Sequence, residues 1–316
     1  MEYEVLGSCD FKVSKMCFGS LTMSPLQANM SFKEGAALIK YAYEKGVNFL
    51  DTAEFYDNYG HIREALKSIN RHDYIIATKS YSYSKETAQK SLKKALEELD
   101  TDYIDIFLLH EQESEHTIRG HYEAIEYFMK AKEKGIIRAI GISTHRVEGV
   151  KAFNKYSELD VVHPIINIDG IGIQDGSVQD MLDAIKEARL LNRGIYAMKP
   201  LGGGHLIRNV EEALAFVRSI KDIHSFAIGM QCQDEIDANV SYVETGQIDN
   251  NLKSKLINKK RRLHIDDWCE GCGTCVEVCQ HNGIMIKDNK AVPILENCVF
   301  CGYCSKHCPQ FCIKVV

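Results

Sequence analysis

Short apolar runs alternate with amphipathic stretches across residues 15–229. The runs 16–20, 47–52, 74–79, 103–110, 138–143, 161–168, 194–199 and 226–229 are nearly continuous in apolar residues. Parallel strands buried on both faces carry that pattern. Helical periodicity fills the gaps, over 32–45, 61–69, 84–99, 121–134, 146–156, 177–191, 210–220 and 234–243. Gly46 stops the first of these, and Ser84 caps the stretch that spaces Leu92, Ala95, Leu96 and Leu99 along one face. Eight strands alternating with eight helices predict an α/β fold, a (β/α)8 TIM barrel over residues 1–245. A doubly wound open sheet is the rival, and eight units in roughly 230 residues favour closure.

Composition adds a boundary to this picture. The 316 residues are 45% hydrophobic and 26% charged, as in an ordinary globular chain. A net charge of −6 provides no electrostatic footprint for nucleic acid. No apolar run approaches the ~20 residues that span a bilayer. The start, Met1-Glu2-Tyr3-Glu4-Val5, lacks a basic region followed by an apolar one, so a cytoplasmic product is expected. The 12 cysteines are uneven: only Cys9, Cys17 and Cys232 precede Cys269. In a reducing compartment such crowding points to metal rather than disulfides. Residues 246–267 read as a polar connector with one helix, and 268–316 as a small second domain.

That domain reads Cys269-x2-Cys272-x2-Cys275-x3-Cys279, then Cys298-x2-Cys301-x2-Cys304-x3-Cys308-Pro309. Each ligand of the first set recurs 29 residues later, as Gly273 does in Gly302 and Ile284 in Ile313. The tail is therefore an internal duplication. Three closely spaced cysteines wrap one iron–sulfur cubane, while the fourth turns toward the other. Cys269, Cys272, Cys275 and Cys308 then hold one [4Fe–4S] cluster, and Cys298, Cys301, Cys304 and Cys279 the second. Structural zinc is the competing reading, but it gives no reason for the x2-x2-x3 spacing. Over 268–315 the tail resembles the bacterial two-cluster ferredoxins, departing at Gln280, where that pattern has proline. Cys312 is surplus and reads as a small buried hydrophobe.

Polar residues at the C-terminal ends of barrel strands read as chemistry. Asp51 ends the second run, Lys79 the third and His110 the fourth, and Tyr56 follows Asp51 by five residues. Singly they read as a helix cap, a solvated strand end and a structural histidine. In a closed barrel consecutive strand tops converge, and together the four suit carbonyl reduction. Hydride arriving at a carbonyl carbon builds negative charge on oxygen, which calls for a proton donor. A phenol near its reference pKa of ~10 is a weak acid, and an adjacent ammonium lowers that value. Tyr56 becomes the acid, Lys79 its tuner, Asp51 the anchor of Lys79, and His110 the group that orients the carbonyl. Tyr59 competes with Tyr56 for the first role.

The segments Phe49-Leu50-Asp51-Thr52-Ala53-Glu54-Phe55-Tyr56, Ala77-Thr78-Lys79, Leu108-Leu109-His110, Gly141-Ile142-Ser143, Lys199-Pro200-Leu201-Gly202-Gly203-Gly204 and Ile228-Gly229 leading to Asn239 resemble the aldo-keto reductases. The likeness spans 16–243. The whole chain resembles a subgroup in which such a barrel carries a C-terminal ferredoxin-like domain. The resemblance implies NAD(P)(H), a small carbonyl/alcohol substrate, and a cofactor pocket built from Ser143, His163, Leu201, Gly203, Gly229, Gln231 and Asn239. The chain departs from the family at Thr144 (asparagine there), at His163 (glutamine), at Met198 (an aromatic that stacks on nicotinamide) and at Glu235 (a basic residue). A carboxylate repels a 2′-phosphate, so Glu235 argues against NADP. The run Lys259-Lys260-Arg261-Arg262 supplies charge to this site if the connector folds back, and otherwise reads as a solvated helix end.

Nicotinamide moves two electrons as hydride, whereas a [4Fe–4S] cluster moves one at a time. Three readings follow: the clusters feed a flavin in the barrel, they pass electrons to a redox partner protein, or they cross-link the fold beside an ordinary carbonyl reductase. A rival class is an electron-transfer protein whose barrel is a docking scaffold.

Overall fold

The computed structural model describes residues 1–257, 261–298, 300 and 302–315. Cys301, Lys259 and Lys260 lie outside the described residues. An antiparallel hairpin, β1 (Tyr3–Val5) and β2 (Lys12–Ser14), opens the chain. Eight parallel strands follow: β3 (Met16–Gly19), β4 (Phe49–Asp51), β5 (Ile75–Ser80), β6 (Ile104–Leu109), β7 (Ile137–Thr144), β8 (Val161–Pro164), β9 (Gly194–Met198) and β10 (Ser225–Gly229). They close in sequence order, with β10 returning to β3 and Gly229 opposite Gly19. Each overlaps its predicted run, and the closed barrel excludes the open sheet. Helices α1 (Phe32–Glu44), α2 (Tyr59–Leu66), α3 (Lys85–Leu99), α4 (Glu115–Gly120), α5 (Tyr122–Glu133), α6 (Val147–Phe153), α7 (Val178–Leu190), α8 (Val210–Ser219) and α9 (Gln233–Thr245) surround it. Ser84 caps α3 by accepting from the Thr87 amide at 3.3 Å, and Gly46 ends α1 at φ +89°.

Two-residue alternation divides the strands. Phe18, Leu50, Ile76, Phe107 and Ile142 face the helices, while Cys17, Phe49, Ala77, Leu108 and Tyr196 fill the interior. Leu6, Phe11 and Val13 of the hairpin join that inner cluster and plug the N-terminal end. The next inward positions toward the other rim are Asp51, Lys79, His110, Ser143, His163 and Met198. One parity therefore aims every predicted rim residue at the axis.

The remainder forms α10 (Asn250–Ile257), β11 (Leu263–Ile265), α11 (Thr274–Glu277), β12 (Ile284–Lys287), β13 (Lys290–Pro293), α12 (Tyr303–Lys306) and β14 (Ile313–Val315). β12 pairs with β13, and β11 pairs with β14, Leu263 opposite Val315. The connector expected over 246–267 thus contributes its last strand to the cysteine-rich domain. That domain sits on the C-terminal rim of the barrel. A Cβ at Gly204 would lie 2.1 Å from the Val315 carbonyl oxygen, so only glycine admits this approach. No described helix is long and apolar enough to cross a membrane.

Candidate active site

The centre of the rim is a buried charge pair. Lys79 Nζ lies 2.6 Å from Asp51 Oδ1 and donates to the Thr52 carbonyl at 2.7 Å. The same Asp51 oxygen accepts from the Tyr196 hydroxyl at 2.8 Å, and His163 Nε2 stands 3.6 Å away. Tyr196 was not singled out in the sequence, although its place one inward step below Met198 was available from the alternation. The His163 ring stacks on Tyr196 with centroids 3.9 Å apart, and its Nδ1 donates to the Tyr196 carbonyl at 2.6 Å. Burial pulls His163 down to about 4, so it is neutral at physiological pH.

Tyr56 ends a short turn, Glu54–Tyr56, that follows β4. Asn58 pins this loop: it accepts from Thr52 Oγ1 at 2.6 Å and donates to the Ser20 carbonyl and hydroxyl at 2.9 Å. The Tyr56 ring meets Lys79 Nζ 5.3 Å from its centroid and presents an edge to His110 at 6.0 Å. Tyr59, the competing phenol, points away from the mouth; it is buried between barrel and helices with its hydroxyl 2.6 Å from Thr78 Oγ1. His110 stacks on Tyr81 at 4.5 Å, and its Nδ1 has no hydrogen-bond partner among the described residues. Burial and the charge of Lys79 hold His110 well below the usual histidine range.

One expectation is reversed here. Lys79 was to lower the Tyr56 pKa. Burial instead pushes the phenol well above its ordinary value, and Asp51, Glu111 and Tyr81 push the same way. Asp51 pairs with the Lys79 ammonium, and the site keeps the phenol protonated.

A cavity of about 1100 Å³ opens above these groups. Asp51, Tyr56, His163, Leu201, Gly203, Gly229, Gln231 and Asn239 line it, as does Met198. Ser143 does not; it is fully buried, and its Oγ accepts from the Glu111 amide at 3.0 Å. Lys79 and His110 stand behind the lining. Several wall residues carried no prior signal. Phe300, Phe311 and Lys314 come from the cysteine-rich domain, and Arg208 from the segment after β9. Of the basic run, Arg261 faces the cavity and Arg262 bonds the Gln27 carbonyl, as the fold-back reading expects of them. Glu235 is engaged as well, accepting from the Gln231 amide at 2.7 Å and facing Arg261.

In the second domain the thiols of Cys308, Cys269 and Cys272 surround Cys275 and, after burial, push it up to about 11. Cys279, Cys298 and Cys304 line a separate cavity of about 460 Å³. Cys308 thus stands with the first triplet, and Cys279 with Cys298 and Cys304. Among the described residues no three His, Cys, Asp or Glu side chains converge on one ion. Thiols spread around a cavity fit a bulky cubane better than a single zinc. Cys312 is buried in the domain core, its sulfur 3.4 Å from that of Cys308.

The barrel, its polar rim and the cysteine tail define a redox enzyme fold joined to an iron–sulfur module. Residues 15–247 match the Aldo/keto reductase family and residues 262–309 a 4Fe-4S dicluster domain. The chain belongs to the aldo/keto reductase family. It is 25% identical to L-galactose dehydrogenase of Arabidopsis thaliana over 286 residues, 77% of this chain and 88% of that protein. It is 32% identical to an uncharacterized oxidoreductase of Bacillus subtilis over 174 residues, half of this chain and 54% of that protein. An aldo-keto reductase structure from Bacillus halodurans superposes with TM-score 0.66 at 24% identity, covering 81% of this chain and 95% of that one. That likeness speaks to the fold.

Proposed function

We propose that the barrel interconverts a small carbonyl and its alcohol with NAD(P)(H), and that the tail holds two [4Fe–4S] clusters beside the same pocket. The arrangement of Tyr56 over the Lys79–Asp51 pair, on the floor of a cavity walled by the cysteine-rich domain, carries this reading.

The cavity is large enough for a dinucleotide. Arg208 and Arg261 give its wall guanidinium groups, which take phosphate in bidentate fashion. Gly203 and Gly229 line the cavity, and their missing Cβ atoms make room for Phe311 and Thr22. NAD(P)(H), when bound, supplies or accepts hydride. The chain's own part is proton control. Tyr56, held protonated, gives its proton to the oxygen on which charge develops, a contribution of order 10²–10⁴ in rate. Neutral His110 orients that oxygen, and Lys79 stabilises the phenolate left behind. Asn58 fixes the Tyr56 loop.

The test is carbonyl-dependent oxidation of NADH or NADPH by anaerobically prepared protein across a panel of small aldehydes and ketones. Steady turnover is expected. A protein with full iron and sulfide content but no turnover overturns the carbonyl reading in favour of an electron-transfer scaffold.

A further inference from the structure

The 29-residue duplication supplies an internal comparison. Gly273 and Gly302 are equivalent, each opening a short helix at left-handed φ, +86° and +77°. A Cβ at Gly273 would meet no atom within 4 Å, whereas one at Gly302 would lie 2.8 Å from His205 Nδ1 and 3.1 Å from His205 Cα. His205 follows β9 on the barrel, and its Nδ1 donates to the Gly302 carbonyl. One half of the duplicated unit is pressed on the barrel, and the other looks outward. Of the first set Cys272 is exposed, while Cys269 and Cys275 are buried.

The two cavities sharpen the contrast. The one bounded by Cys279, Cys298 and Cys304 is also lined by His205, Arg208 and Asn209 of the barrel. Arg208, Asn209 and Phe300 also line the large barrel cavity, so one partition serves both. Among the described residues none of Cys269, Cys272, Cys275 and Cys308 lines either cavity.

We propose that the two cysteine sets are ordered. Cys279, Cys298 and Cys304 hold an inner cluster that meets the barrel pocket across Phe300, Arg208 and Asn209. Cys269, Cys272, Cys275 and Cys308 hold an outer cluster that meets solvent. Single electrons enter or leave at the outer cluster, exchanged with a soluble one-electron carrier. Each transfer within the domain oxidises one cluster by one electron and reduces the other by one. This ordering rests on the proposal that both sets bind clusters.

Iron and acid-labile sulfide analysis of the anaerobic full-length protein comes first; zinc in place of iron overturns the ordering together with the cluster reading. The loaded protein and H205Q are then titrated by electron paramagnetic resonance, with and without a soluble dysprosium chelate that relaxes exposed paramagnets. One cluster signal is expected to relax with the chelate and to keep its midpoint in H205Q. The other is expected to be shielded, with its midpoint moved; a tenfold change in its equilibrium reads as about 59 mV for one electron. Equal relaxation of both signals, or an H205Q shift in the exposed signal or in neither, overturns the ordering. Neither readout uses carbonyl turnover, so failure here leaves the carbonyl chemistry standing, and failure of that chemistry leaves the ordering to these measurements.

Discussion

The ammonium of Lys199 lies 4.1 Å from the centroid of the Phe311 ring, so a residue of the cysteine-rich domain roofs the end of a barrel strand. Lys199 holds φ +58°, an uncommon conformation for a residue with a side chain, and its Nζ donates to His145 Nε2 at 2.9 Å. Burial, aided by the charge of Lys79, pulls Lys199 down to about 8. It is cationic below that pH and neutral above. Affinity for an anionic pocket ligand therefore falls as pH rises through about 8. Binding titrations of the nicotinamide nucleotides at pH 7 and pH 9 check this, and Lys199→Met flattens the dependence.

Stability responds to acid through the rim histidines. Burial lowers His110, His145 and His163, the last to about 4. Below the ordinary value near ~6.5 the unfolded chain takes up protons that the native state refuses, so acid favours unfolding. Each such histidine contributes a slope of up to about 1.4 kcal/mol per pH unit. Urea midpoints are expected to drop between pH 7 and pH 5, and His163→Gln to remove part of the drop.

Removing one charge from the rim leaves the other buried. The side chains of Lys79 and Asp51 are only 2% and 7% exposed. Asp51→Asn and Lys79→Met each cost about 3–5 kcal/mol. The double variant, which removes both charges, recovers much of that loss rather than summing the two. Denaturation of the three proteins at one pH measures the coupling.

The barrel–tail contact has its own probe. Alanine at Gly204 drives a Cβ into the Val315 backbone, which has no flexible end to yield. Alanine at Gly273 meets open space and bears only the strain of its positive φ, about 1–2 kcal/mol. Limited proteolysis is expected to cut the connector of Gly204→Ala faster than that of Gly273→Ala or the wild type.

The sequence made local periodicity and duplicated spacing legible. Alternation placed Asp51, Lys79 and His110 at strand ends, and the 29-residue repeat joined Cys308 to Cys269, Cys272 and Cys275. Contacts made by chain return were hidden. Phe311 lies over 100 residues from Lys199, and no pattern announces that β14 folds onto the glycine loop. The choice between Tyr56 and Tyr59 depends on which side of the barrel wall each faces, which a loop of irregular backbone conceals. The upward shift of the Tyr56 phenol comes chiefly from burial, which strand-end spacing does not reveal. The N-terminal hairpin escaped because three-residue strands carry too little alternation to register.

The most direct measurement is carbonyl turnover by Tyr56→Phe, with visible cluster absorbance as the control for an intact fold. The account predicts a fall of order 10²-fold or more with absorbance unchanged. Turnover near the wild-type rate in a protein with intact clusters would contradict it.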